Sequence, residues 1–390
     1  MELKMQEKML QYIDAHEAEM IDLWRKLVYM ESPSNNKKAV DAVGHFLADY
    51  AKEKLGYYVR FTEDEVLGNC LALCSCPFDE YKHGIAISAH MDTVHDVGSF
   101  DPVLVEDDEY MYGPGVADCK GGITMALLTA MALKEIGYNK RPVKLVFSGA
   151  HENGGAVGKK FYLNEFVGSD YVFSTEPGMR DKVVTGRKSS IIVFYNIKGE
   201  AAHIGRMTGK PKSAIREAAM KLLALENASD YDTLTFCCGI INGGHAPTSV
   251  PANCQLQVNV RIKDSSVIDK AMKTLHEVAE TTYVPGTSTE MVIHGNSIPM
   301  SERPANNILC EYFSQISQSL GYASYEHTFV GGASDASYAV SLGIPSICAV
   351  GPVGEFHHTK NERAMRSNMA VRAKIHAKAI VDMPDDLCAE

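Results

Sequence analysis

Histidines and carboxylates recur in this sequence where apolar runs break. His90 closes "GIAISAH" and opens "HMDTVH", with Asp92 two residues on. Asp118 lies in "GPGVADCKGG", and Glu152 follows "VKLVFSGAH". Glu176 follows "DYVFST", and His357 and His358 follow "SICAVGPVGEF". Imidazoles and carboxylates are the side chains that ligate zinc and similar divalent ions. A single His or Glu at a strand end is ordinarily a solvated loop residue. Five converging on one predicted edge point to a metal. "GPGVADCKGG" lacks the G-x-x-x-x-G-K-[ST] order of a phosphate loop, so its glycines read as tight turns and close backbone approach.

The elements that must position these residues follow from periodicity. "EMIDLWRKLVYM" and "AVDAVGHFLADYAKEKLGY" carry apolar residues at helical spacing, and Gly56 marks an end. "YYVRFTE", "CLALCSC", "GIAISAH", "VKLVFSGA", "DYVFSTE" and "PSICAVGP" read as strands, several of them continuously apolar. "DCKGGITMALLTAMALKEIGY" and "ILCEYFSQISQSLGY" read as helices. Apolar strands alternating with helices predict an α/β domain whose mostly parallel sheet has helices on both faces. Apart from Asp118, each candidate ligand then lies at the C-terminal edge of that sheet, where open α/β sheets bind ligands.

The middle of the chain differs. Strand "SIIVFYNIKG", helix "SAIREAAMKLLAL", strands "TLTFCCGII" and "CQLQVNVRI", helix "VIDKAMKTLHEVAE" and strand "EMVIHG" run in β-α-β-β-α-β order. "CQLQVNVRI" alternates as a half-solvated antiparallel strand does. The expected organisation is a catalytic domain in two parts, 1–187 and 297–390, interrupted by an inserted α+β ferredoxin-like domain, 188–296.

The chain has 390 residues and a net charge of −11 with no Lys/Arg block. Neither nucleic acid nor an anionic membrane is an expected partner. The stretch "MELKMQEKMLQYIDAHEAEM" lacks the apolar core of a signal peptide, and no apolar run reaches the length of about 18 residues of a membrane span. Ten cysteines in a long chain of this kind read as reduced thiols of a cytoplasmic protein. "CSC" (Cys74, Cys76) does not have zinc-ribbon spacing.

"HMDTV", "YGPGVADCKGG", "STEPG", "GEAAHIG", "GGASDASYA" and "HHTKNE" stand in one order. In that order the chain resembles the di-zinc family of aminoacylases, desuccinylases and bacterial glutamate carboxypeptidase, over nearly its whole length. The resemblance implies two divalent ions, zinc first and cobalt or manganese next. His90 and Glu176 would hold one ion, Glu152 and His358 the other, and Asp118 both, with a cis peptide to Cys119. Asp92 would orient His90 through its distal ring nitrogen. His358 is preferred to His357 because "HTKNE" fits the family's H-[ST]-x-x-E. The ions would acidify a water for attack on an amide carbonyl. His203 in "GEAAHIG" would donate to the oxyanion across a homodimer interface built by the inserted domain. Arg261, Thr248 and Gly332 would contact substrate, Arg261 through a carboxylate. Thr248 replaces the family's asparagine three residues before Pro251 and offers no amide N–H₂. The expected substrate is a small N-acyl amino acid or peptide.

"SGAHENGG" carries the main departure. Relatives have two successive glutamates there, a general base and a zinc ligand. Here Glu152 keeps the ligand position and His151 takes that of the base. Three readings stay open. His151 serves as a base, being mostly neutral at pH 7, although imidazolium beside two dications is disfavoured. Alternatively it ligates metal itself, or the protein is a catalytically silent or non-hydrolytic relative that binds metal and a small ligand.

Overall fold

The computed structural model describes residues 2–153 and 156–388. The chain forms two compact units. One comprises Met1–Gly186, Glu302–Phe329 and Ser334–Glu390, the other Arg187–Ser301 and Val330–Ala333.

In the first unit an eight-stranded sheet runs in the order Tyr58–Thr62, Cys70–Cys74, Val143–Ser148, Gly84–His90, Ser169–Ser174, Ser346–Cys348, Lys182–Arg187, Glu326–Val330. The four central strands, from Val143–Ser148 to Ser346–Cys348, are mutually parallel. Antiparallel strands flank them. The apolar runs are continuous because both faces are covered. Ile85, Ile87, Leu145, Phe147, Tyr171 and Phe173 join the main core, while the alternate residues Val146 and Val172 are equally buried on the other face. Helices Glu2–Tyr29, Gly122–Glu135, Pro304–Ser319 and Asn368–Asp382 pack together in one group. Ala156–Glu165 and Ala336–Ser341 form another.

Two helices differ from the sequence pattern. The first begins at Glu2, far ahead of the periodic stretch, because Met9 and Ile13 add two more buried rungs to its apolar face. The third begins at Gly122 rather than at Asp118. Asp118 and Cys119 have non-helical backbone angles, so the acid stands outside the helix; the peptide between them is cis. The run Val116–Glu135 has the length and composition of a membrane span, yet it is buried inside the unit up to Leu133. A helix apolar on every side is what a central core position requires.

The second unit is a four-stranded antiparallel sheet ordered Leu234–Gly243, Asn253–Ile262, Ser189–Lys198, Ser288–Asn296. Helices Ala214–Glu226 and Ile268–Glu280 pack on it. Within this unit Lys221 and Glu217 are fully buried, 3.2 Å apart. Lys221 Nζ donates to the carbonyls of Val278, Ala279 and Thr281, which end the neighbouring helix. Glu217 accepts the N–H groups of Tyr283 and Val284. The pair thus serves backbone groups that a helix terminus leaves unpaired.

His376, in the helix Asn368–Asp382, sets a pH limit on the first unit. It is fully buried and packs edge-on against Phe173 and Phe313. Its Nδ1–H donates to the Arg372 carbonyl at 2.8 Å. Burial, with help from the nearby Arg372 charge, pushes its pKa down to about 3. The unfolded chain therefore takes up a proton near pH 6.5 that the folded chain refuses, and stability is lost as pH falls from there toward 3. Denaturant titrations of wild type and His376→Leu between those limits should differ in slope by up to about 1.4 kcal/mol per pH unit. Parallel curves would show that this histidine does not matter.

Candidate metal centre

The candidate site lies in the first unit, beyond the C-terminal ends of the parallel strands, and the local chain explains each position. Gly149 follows the strand ahead of His151, and only glycine fits there because a Cβ would lie 2.4 Å from the Asn69 carbonyl oxygen. Gly115 turns the chain into the Asp118 loop at φ 69°.

His90 is fully buried, and its Nε2 lies 2.8 Å from Asp118 Oδ1. His358 Nε2 lies 3.2 Å from both Asp118 Oδ2 and Glu152 Oε1. His357 instead packs edge-on against the His358 ring. His90, Asp118 and Glu152 offer one ligand atom each within 4.8 Å of one another, and so do His90, Cys119 and Glu176, and His151, Glu176 and Asp335. Cys119 is the weakest donor of these. Burial raises its thiol pKa well above the ordinary value, and its S–H is spent on the Thr175 carbonyl at 3.1 Å.

The electrostatics favour added positive charge. Burial alone would lower the pKa of His90, but Asp118 and Asp92 carry it well above the ordinary range. Contacts with Asp118 and Glu152 raise His358 to about 10. For His151, burial pulls down, and Asp335 and Glu176 outweigh both burial and the repulsion from His90, giving about 10. Asp118 is desolvated, yet His358 and His90 hold it well below the usual carboxylate range. Three imidazoles so driven to protonate mark a field that a divalent ion would satisfy. Glu152 Oε1 supports the fit. It is buried and receives no well-aligned hydrogen bond among the described residues, although His358 Nε2 is near. A single N–H cannot serve two carboxylate oxygens fully, whereas an ion between them accepts electron pairs from all three atoms. The residues present therefore fit a divalent metal.

Two buried carboxylates hold the frame. Asp92 accepts the N–H groups of His151 and Glu152 at 3.1 and 3.0 Å and the Ser34 hydroxyl at 2.8 Å. His90 Nδ1–H donates to the Asp92 main-chain carbonyl at 2.9 Å, with the carboxylate at 3.5 Å. The expected contact with His90 is thus made chiefly by backbone, and the carboxylate is spent on the His151 turn. Glu362 accepts from Ala117 N and Asp118 N at 2.9 and 3.0 Å and from Gly115 N at 3.3 Å. His95 Nε2 lies 2.7 Å from Oε2, the oxygen that Gly115 N also meets.

Sequence reasoning assigned no role to Glu362, His95 or Asp335. Glu362 and Asp335 stand inside the quoted motifs "HHTKNE" and "GGASDASYA", but their partners are remote in sequence. His151 Nδ1 bonds Asp335 Oδ2 across 184 positions, and the His151 ring stacks on His90 at 4.2 Å.

The remaining expected site residues belong to the second unit and gather there in two pairs. His203 pairs with Ser249 in a short ladder, and Thr248 accepts the N–H of Ile204, so His203 and Thr248 are neighbours. Arg261 Nη1 donates to the Gly331 carbonyl at 3.3 Å, and Arg187 Nη1 to that of Gly332 at 3.2 Å. Two arginines thus hold the 330–333 segment.

Fold and site together define a two-unit α/β protein with a candidate metal centre at the end of its parallel sheet. The model of peptidase family M20/M25/M40 matches residues 86–382, and the chain belongs to that family. Carboxypeptidase G2 of Pseudomonas sp. (strain RS-16) is 28% identical, over 93% of this chain and 89% of the relative. Succinyl-diaminopimelate desuccinylase of Helicobacter hepaticus is 24% identical, over 74% and 76%. Among solved structures, a tripeptidase of Staphylococcus aureus superposes with a TM-score of 0.75 at 23% identity, covering 93% of this chain and 97% of that one.

The Glu362 cradle generates a stability prediction. Glu362→Ala strands three loop N–H groups and the His95 ring, and unpairing a buried network of this kind costs about 3 kcal/mol or more. Urea denaturation should show that loss, and a change under about 0.5 kcal/mol would mean that water replaces the carboxylate.

Proposed function

We propose that the protein is a metal-dependent hydrolase that cleaves an amide bond of a small N-acyl amino acid or peptide, of carboxypeptidase or deacylase type. The observation that carries this is the convergence of His90, Asp118, Glu152 and His358 in a field that raises the pKa of each histidine. Family membership and the names of the relatives supply the reaction class.

In this reading two divalent ions, zinc by preference and cobalt or manganese otherwise, would be held by His90, Glu176, Glu152, His358 and Asp118. When bound, they supply Lewis acidity, polarising the amide carbonyl and acidifying the attacking water. The chain's own residues do the rest. Asp92 fixes the turn that presents His151 and Glu152. His151, in the position of the family's glutamate base, takes the water proton on Nε2 and returns it to the leaving nitrogen as the C–N bond breaks. His203 would serve as oxyanion donor across a dimer interface, Arg261 would hold the substrate's carboxylate, and Thr248 and Gly332 would contact substrate.

The proposal extends to a homodimer through the second unit. The edge strand Leu234–Gly243 exposes Ile240 and Ile241, an unpaired apolar edge of the kind proteins seldom leave open. Ile241→Lys should turn a sedimenting dimer into a monomer, and an unchanged mass would remove this edge from the interface. Ten free thiols fit a reducing compartment, and the cytoplasm is the proposed location.

Turnover on a panel of N-acyl amino acids and dipeptides should vanish with chelator and return with Zn²⁺, Co²⁺ or Mn²⁺. Glu152→Gln should lose both metal and activity. His151→Ala should lose about 10²- to 10⁴-fold in kcat, the usual worth of a general base. A silent wild type alongside an active His151→Glu variant would overturn the hydrolase reading in favour of a binding protein.

A further inference from the structure

We infer that Asp335 is the positioning residue that makes His151 competent as a base. The inference rests on the hydrolase reading above and deepens it.

The geometry around the His151 ring is specific. Asp335 Oδ2 engages Nδ1, so Nδ1 keeps its proton and Nε2 is the nitrogen that exchanges one. The His90 ring lies parallel to it, 11° from coplanar at 4.2 Å, and fixes its plane. Nε2 then faces the Glu176 side of the cluster, 3.9 Å from Glu176 Oε1. Both side chains of the pair are largely shielded, with 16% and 13% exposure, so water does not compete strongly for the bond.

Asp335 is also free of the local duty its position would suggest. It precedes the helix Ala336–Ser341, where an aspartate commonly caps, yet its side chain makes no capping bond. Its carboxylate is turned to the histidine instead. The fully buried Tyr162 hydroxyl, which donates to the Ala89 carbonyl, faces the same carboxylate.

This arrangement answers the difficulty of an imidazole in a glutamate's place. When Nε2 takes the proton of the attacking water, the ring becomes a cation. The Asp335 carboxylate, already bonded to Nδ1–H, offsets that charge without accepting the proton. The Nε2 proton then passes to the leaving nitrogen, and the Nδ1 proton stays on the ring throughout. A lone histidine would have neither a fixed tautomer nor a counter-charge.

The test has two independent arms. In ¹⁵N-histidine-labelled, zinc-loaded protein, with His151→Gln supplying the assignment, the His151 signals should report a protonated Nδ1 and a bare Nε2. Asp335→Ala should convert them to a tautomer mixture. An Nε2–H tautomer in wild type, an unchanged spectrum in Asp335→Ala, or an Nε2 signal displaced by direct bonding to zinc would each overturn the inference. In the kinetic arm, Asp335→Ala should lower kcat about 10- to 100-fold, the usual effect of losing a partner that orients a site residue. KM should stay within about two-fold, because uniform substrate binding is untouched. Asp335→Asn, which can still accept from Nδ1–H, should recover part of the loss. In the His151→Glu background, Asp335→Ala should cost nothing. An equal loss in both backgrounds would mark a merely structural role. If wild type turns over no substrate, the hydrolase reading fails, and the nitrogen spectra still decide whether Asp335 sets the tautomer.

Discussion

Asp118 is the point on which the first unit's site turns. Its two carboxylate oxygens face two different histidines, one on each side. A buried acid in that position is costly unless positive charge answers it. Here the only answers within the described cluster are imidazoles, which must protonate to supply it. The field that raises them is the same field that would draw in a divalent ion. Ligand geometry and the charge it concentrates thus point to the same kind of occupant, a divalent cation.

Such an acid can be held only if the backbone around it is fixed. The structure uses buried carboxylates on backbone N–H groups for this. Glu362, from the same loop region as His358, grips the 115–118 turn. Asp92, two residues after His90, grips the turn at 151–152. Each grip ties the segment carrying one candidate ligand to the segment carrying another. Separate strand ends are thereby set relative to one another by short, charge-assisted bonds rather than by loop packing.

Much of this was legible in the sequence, and the limits have physical causes. The central strands could be read because burial on both faces leaves them continuously apolar, and the second unit because a half-solvated sheet alternates. That His90, Asp118, Glu152 and His358 come together could be read because strand ends in parallel sheets are where side chains converge. The start of the first helix was not legible, since Met9 and Ile13 sit alone among charged residues until the core covers them. The Asp118 turn looked helical because the apolar pattern after Gly122 runs back into it. The passage of 330–333 into the second unit leaves no periodic mark at all. Asp92 was placed beside His90 by spacing, but spacing cannot say whether a carboxylate spends itself on a ring or on a backbone turn.

The exchange of glutamate for His151 shows the same limit at the level of charge. Read alone, the substitution removes one negative charge from a site that needs to balance cations, and it offers a weaker base. Asp335 places a negative charge one imidazole ring further out. Nothing in the local sequence signals this compensation, because its two halves are 184 residues apart and are joined only when the Ala336–Ser341 helix packs against the sheet. A histidine beside a ligand position therefore says little by itself about whether a site has lost its function. What surrounds its ring matters as much, and here the fold brings an acid to the far side of it.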